Sequence, residues 1–321
     1  MTYIVIHFEE CLFMPTVLIT GGTGLIGSAL SPMLIDKGYK VIILTRNKAD
    51  ISHKTSAIIY AEWDAEKEII DKDAVAKADY IIHLAGANLS EKRWTKKRKK
   101  EIVESRTESS ALLVKALKEN TNHVKAVVSA SAIGWYGADT NTSLQKGFHE
   151  EDPAALDFLG EICKQWEQEI KPAETLGKRL VIIRTAIVLS NKGGAYPEFK
   201  KSLKFGIAAI LGSGNQIISW IHIEDICRIY IHALENNISG VFNTAAPHPV
   251  SNKTLMLKLA KAVRGKFFIP LHVPSFALKL VLGEMGTEVL KGVTVSPAKI
   301  KSAGFQFIYP SIDAAINNLT K

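Results

Sequence analysis

The chain has 321 residues, of which 47% are apolar and 22% charged, the proportions of a soluble globular protein with a sizeable core. No apolar run reaches the ~20 residues that span a bilayer, so no membrane partner is expected. Three cysteines (Cys11, Cys163, Cys227) cannot build a disulfide framework and show no metal-ligand spacing, which makes a reducing, cytoplasmic setting the default and leaves no metal expected.

The N-terminal stretch MTYIVIHFEECLFM is interrupted by Glu9 and Glu10 and lacks a basic front, so it reads as a dispensable tail over residues 1–14, with Met14 as an alternative start. Val17–Thr20 is a short apolar strand running straight into glycines, and Leu25–Lys37 reads as a helix closed by Gly38. Further strands are predicted at Val41–Thr45, Ile58–Trp63, Tyr80–Ala85, Val124–Ala130 and Leu180–Thr185, with helices at Lys96–Glu119 and Phe158–Leu176. Alternating helices and fully apolar strands predict an α/β fold: a Rossmann-type, doubly wound parallel sheet covered on both faces. After Val188 the rhythm changes. A loop with Gly193-Gly194, a strand at Ile217–Ile221, a helix at Glu224–Glu235 with Asp225 placed to cap it, and a last strand at Val241–Thr244 are followed by a mainly helical end. The expected division is a dinucleotide-binding domain over 15–187 plus 217–247 and a smaller, mainly helical substrate lobe over 188–216 plus 248–321.

Between the first strand and the first helix stands TGGTGLIG, Thr20–Gly27. Glycine is needed there for a tight turn, for close approach of backbone to a pyrophosphate and for packing of helix on strand. The helix N-terminus then offers N–H groups and its positive dipole end. Gly21, Thr23, Gly24, Leu25, Ile26 and Gly27 are the expected contacts. The end of the second strand separates the two nicotinamide cofactors. A carboxylate there holds a ribose 2′-OH, whereas this chain has Thr45-Arg46-Asn47, and the guanidinium fork suits a 2′-phosphate. NADP is therefore the expected cofactor. Asp64, after the third strand, is placed to flank the adenine, and Leu84-Ala85-Gly86, after the fourth apolar strand, lets backbone approach a ribose. His83 reads as a packed residue. The run Glu91–Glu101, EKRWTKKRKKE, holds seven Lys or Arg residues and reads as a solvated helix face, with a phosphate grip as the alternative.

Taken together, TGGTGLIG, HLAGANL, RWTKKRKKEIVESR, SASAIGWYG, RTAIVLSNKGGA, GSGNQIISWIHIEDI and GEMGTEVLKGVTVSPAKIKSAGFQFIYP resemble the epimerase-like atypical short-chain dehydrogenase/reductases. The likeness runs from Pro15 to Leu319. Extended members of that superfamily use a Ser with a Tyr-x-x-x-Lys pair, in which the phenol moves a proton and the Lys lowers its pKa. Ser131 matches the Ser. Aligned on Glu167, the Tyr position holds Leu159 and the Lys position Cys163, and Arg106 stands where relatives outside this branch have Asn. The resemblance implies NADP binding, with Ile187 and Val188 completing the cofactor contacts. It also implies Glu101 and Arg106 near the cofactor, Glu101 accepting from a ribose hydroxyl or steadying Arg106.

Two functions follow. The first is an NADP-dependent oxidoreductase or epimerase acting on a small hydroxy or carbonyl substrate, nucleotide-sugar-like compounds included. In it Ser131 orients the substrate oxygen, Arg106 binds an anionic group, and Cys163 or Tyr136 handles the proton. The second is a non-catalytic NADP-binding sensor. Beside these two stands a third, weaker reading, a nucleic-acid binder acting through Lys92 to Lys100, though nucleic acid is not the expected partner; a homodimer is allowed.

Overall fold

The computed structural model describes residues 14–47 and 57–320. The tail thought dispensable lies, Met14 apart, outside these residues. The first seven strands are β1 (Thr16–Thr20), β2 (Lys40–Thr45), β3 (Ile58–Asp64), β4 (Ile69–Ile70), β5 (Tyr80–His83), β6 (Ala126–Ala132) and β7 (Arg179–Thr185). They are followed by β8 (Ile187–Ser190), β9 (Gly193–Gly194), β10 (Ile207–Leu211), β11 (Ile217–Ile218), β12 (Trp220–His222), β13 (Gly240–Thr244), β14 (Val250–Ser251) and β15 (Ile269–Val273).

The main sheet has eight strands in the order β13-β7-β6-β5-β1-β2-β3-β4, parallel throughout except for the short β4 at its edge. This is the doubly wound architecture that the sequence predicts, and its apolar strands follow from two covered faces. Side chains alternate across a strand. Val17 and Ile19 therefore join Leu30 and Leu34 of the Leu25–Asp36 helix and Ile226 and Ile229 of the Ile223–Glu235 helix. Leu18, between them, joins Leu112 and Leu113 of the Lys96–Glu119 helix on the other face.

Three local readings change. The predicted helix Phe158–Leu176 is two helices, Phe158–Ile170 and Pro172–Thr175, because proline at a helix interior would cost an N–H bond but is at home in a first turn. Asp225 does not cap its helix. His222 is the N-cap residue, its ring accepting from Glu224 N–H, while the Asp225 carboxylate accepts from the Ile308 and Tyr309 N–H groups at 2.9 Å each. The predicted strand Ile217–Ile221 does not join the main sheet. It breaks at the buried Ser219, whose carbonyl accepts from Ile187 N–H and whose hydroxyl accepts from Val295 N–H. Its halves pair instead with β14 and β8, so β13 alone carries the later chain into the main sheet. A third apolar cluster, with Tyr196, Leu203, Ile210, Trp220, Leu259 and Ile316, packs the later helices against β10.

Candidate functional site

The order β5-β1-β2 puts a topological switch point between β1 and β5, since the chain winds away from β1 in both directions. In open α/β sheets the crevice outside the carboxyl ends of such strands is where ligands bind. Register aligns Thr20 of β1 with Leu44 of β2 and His83 of β5, so the glycine loop, Thr45-Arg46 and Leu84–Gly86 leave the sheet along one edge.

The glycines there are required by geometry. Gly21 has φ +67°, and a Cβ on it would lie 2.7 Å from the Leu84 carbonyl oxygen; a Cβ on Gly27 would lie 2.5 Å from the Gly22 Cα. Gly24 is the N-cap of the Leu25–Asp36 helix and has no side chain to satisfy the first turn, which leaves that turn open to an anion. Thr23 and Gly24 are exposed and Leu25 and Ile26 half-buried. Gly194 abuts this loop: a Cβ on it would lie 3.2 Å from Leu25 Cδ2. Thr20 Oγ1 ties the crevice together, accepting from Leu84 N–H (3.1 Å) and Ala85 N–H (3.2 Å) and pairing with His83 Nδ1 at 2.7 Å. His83 is fully buried and touches Ser110 Oγ through Nε2, and burial pushes its pKa down to about 4, so the ring is neutral.

Thr45 is buried and accepts from Asn47 N–H, and Arg46 beside it is exposed. Asp64 pairs with Lys67 at 3.0 Å, and that hydrogen bond holds its carboxyl below the usual range. Gly86 lies on Arg106: a Cβ there would sit 3.2 Å from the guanidinium carbon. Arg106 is buried, donates to the Ile102 and Ala87 carbonyls, and stacks over Trp166 at 5.0 Å. Ile187 and Val188 follow the carboxyl end of β7 and are partly exposed.

Glu101 is exposed and pairs with Arg98 at 2.6 Å rather than with Arg106. That Arg98 also donates to the Asn88 carbonyl and to Glu91, so part of the basic run is held internally. Lys99 pairs with Glu284, and Lys100 with Glu104.

Two of the catalytic candidates, Ser131 and Tyr136, fall into a buried network that the sequence did not suggest. Ser131 Oγ donates to Glu167 Oε1 at 2.6 Å, and the same carboxylate takes two bonds from Arg184, each 2.9 Å. Arg184 also donates to the Tyr136 hydroxyl (2.9 Å) and the Glu150 carbonyl (3.0 Å) and lies 3.7 Å over the Trp135 ring. Tyr136 donates to Asn243 Oδ1 at 2.7 Å, and burial pushes its phenol up to about 12. Cys163 is buried, its thiol 3.6 Å from the Ala132 carbonyl, and burial followed by the Glu167 charge pushes it up to about 12. A thiol so placed stays protonated near neutrality. Leu159 packs with Trp94, Phe158 and Met285. One signal could have revealed the network: Arg184 stands in the apolar run RLVIIRT, and an arginine inside a central strand requires a buried partner.

Residues 17–157 match the NAD dependent epimerase/dehydratase family, and residues 273–319 match a domain of unknown function, DUF1731. An epimerase family protein of Staphylococcus saprophyticus is 38% identical over 94% of this chain and 98% of its own length. The crystal structure of the human epimerase family protein SDR39U1 (isoform 2) with NADPH superposes with a TM-score of 0.82 at 30% identity, covering 95% of this chain and 99% of that one. A nucleoside-diphosphate sugar epimerase from Corynebacterium glutamicum gives a TM-score of 0.75 at 32% identity, over 96% of this chain and 58% of that one.

Proposed function

The chain belongs to the epimerase family within the short-chain dehydrogenase/reductases, a family of NAD(P)-binding, epimerase-like proteins, and from that premise we propose that it binds NADP(H) across the β1/β5 crevice. The observation that carries the choice of NADP(H) is the exposed Arg46 at the end of β2, where an NAD site would present a carboxylate. The human relative in complex with NADPH supports the same choice. Thr23 to Gly27 would hold the pyrophosphate, Asp64 would flank the adenine, and Leu84 to Gly86 with Ile187 and Val188 would meet the ribose and nicotinamide. When bound, the cofactor supplies or accepts hydride. Residues 188–216 and 248–321 form the substrate lobe in this reading.

The reaction we propose is oxidation or reduction of a small hydroxy or carbonyl compound in a site without the Tyr-x-x-x-Lys pair. Arg106 beside Gly86 supplies positive charge to an anionic substrate group or a developing oxyanion. A second reading, a cofactor-sensing protein without turnover, is favoured by one observation: Ser131, Tyr136 and Cys163 are all buried and all engaged within the protein.

Titrating NADPH and NADH against wild type and Arg46→Asp tests the cofactor assignment. A guanidinium–phosphate contact of ~1.5–3 kcal/mol predicts NADPH binding weaker by roughly 10- to 100-fold, with NADH held or improved. An unchanged NADPH/NADH ratio refutes it. Single-turnover NADPH oxidation with a panel of small carbonyl compounds then separates the two readings: turnover supports the enzyme, and tight binding without turnover supports the sensor.

A further inference from the structure

Residues 199–223 and 236–283 contain no Asp or Glu but hold nine Lys and Arg, more than the net charge of +8 on the entire chain. The fold gathers much of this charge around an exposed apolar edge. β10 pairs in parallel with β15, beginning at Ile207 opposite Ile269. Arg264 donates to the Leu203 carbonyl at 2.7 Å and to the Lys204 carbonyl, and Ile269 N–H donates to the Gly206 carbonyl at 2.8 Å. These bonds bring Lys204-Phe205 beside Lys266-Phe267, two phenylalanines that are 82% and 87% exposed, each preceded by an exposed lysine. Ile269 and Leu271 continue the exposed apolar surface along β15, and Phe276 and Leu280, one turn apart on the Ser275–Leu282 helix, extend it. Beside the phenylalanine pair a shallow groove of about 460 Å³ is lined by Leu257 and Phe268 and flanked by Lys261 and Lys266, with Lys258 at its rim paired to Asp313.

At roughly 150 Å² for each fully exposed large side chain, these residues present on the order of 600 Å² of apolar surface, as much as the largest patch on a typical monomer. We propose that this face docks on an anionic lipid bilayer, the phenylalanines entering the boundary between headgroups and acyl chains and the lysines meeting lipid phosphates. Charge and backbone favour this occupant over a second copy of the chain. Two copies would bring like-charged rims together. The outward edge of β15 also carries Pro270, which has no N–H to pair with a further strand, because Ile269 and Val273 spend their backbone groups on the β10 side. Nucleic acid would meet the lysines but gain nothing from Ile269, Leu271 or Leu280. No helix among the described residues is long and apolar enough to cross a membrane. A patch that lies on a bilayer needs no span, so the proposal departs from the sequence expectation of no membrane partner. The proposal is independent of the cofactor assignment.

Flotation of the full chain with phosphatidylcholine vesicles, with and without phosphatidylglycerol, tests it. The protein should float with the anionic vesicles only and detach as salt rises. Phe205→Ser with Phe267→Ser should weaken vesicle affinity at least tenfold while leaving the melting temperature unchanged, both side chains being exposed. Failure to float with anionic vesicles overturns the proposal, as does equal flotation of the double variant. Light scattering that shows a dimer dissolved by the same substitutions, without vesicle binding, assigns the face to a second copy; duplex DNA binding without vesicle binding assigns it to nucleic acid. Either result overturns the proposal.

Discussion

Glu167→Gln should be among the most destabilising single changes in this chain. The carboxylate is 9% exposed and accepts three bonds, two from Arg184 and one from Ser131. The amide keeps the shape but removes the charge, leaving the Arg184 guanidinium, 3% exposed, with neutral acceptors alone: the amide oxygen, the Tyr136 hydroxyl and the Glu150 carbonyl. Removing one partner of a buried pair costs about 3–5 kcal/mol, because the other charge stays buried without compensation. Ser131→Ala removes one bond to the same carboxylate and leaves the ion pair, so about 1.5–3 kcal/mol is expected. Glu167→Met with Arg184→Met should recover part of the loss by removing both charges, though not all of it, since Tyr136 and Glu150 lose a donor. Urea denaturation followed by circular dichroism reads these values as shifts of midpoint at constant slope. A cost for Glu167→Gln below about 1 kcal/mol would refute the argument that this pair is desolvated and structural. A Ser131→Ala cost as large as that of Glu167→Gln would refute the proposed ranking.

Cys163, with its thiol pushed up to about 12, should resist alkylation at pH 8 in the native protein and react fully once unfolded; rapid native labelling would show that the thiol is accessible and ionised. Cys163→Ala should therefore lower stability by roughly 1 kcal/mol and leave NADPH affinity within twofold. His83 is neutral in the fold with a pKa of about 4 against 6.5 ordinarily, so between those values the unfolded chain binds the extra proton. Stability should be full above about pH 6.5 and fall by about 3 kcal/mol as pH drops toward 4, and a His83→Gln variant should show a shallower loss over that window; parallel pH profiles would refute the assignment. Gly27→Ala drives a Cβ to 2.5 Å from the Gly22 Cα, so it should abolish cofactor-induced thermal stabilisation, and a variant still stabilised by NADPH as wild type is would show that the loop can shift.

The local parts of the proposed cofactor site were legible in the sequence because their geometry is local. TGGTGLIG is demanded by a turn, a close approach and a helix packed on a strand, all within eight residues, and Arg46 follows its strand directly. The parallel sheet was legible because strands covered on both faces must be apolar throughout. Other features depended on partners far along the chain. Asp225 reads as a cap from its position, but its bonds are to Ile308 and Tyr309, and Glu101 chose Arg98 on its own helix over Arg106. Ile217–Ile221 has the composition of a sheet strand and takes a different neighbour because β8 lies beside it.

The sequence by itself determined the glycine cradle and the alternation of helix and strand, since each is written in contiguous residues. Only the tertiary structure decided the state of the polar groups beside that cradle. Ser131 and Tyr136 share one stretch of chain while Glu167 and Arg184 come from two others, and whether a hydroxyl faces a crevice or a buried ion pair is set by which strand and helix pack together. The same packing tied Phe205 to Phe267 across more than sixty residues of sequence and left both in solvent. Spacing along a chain fixes a side chain's period and its face; burial and partner are properties of the assembled fold, where desolvation determines which proton is held and which charge must be matched.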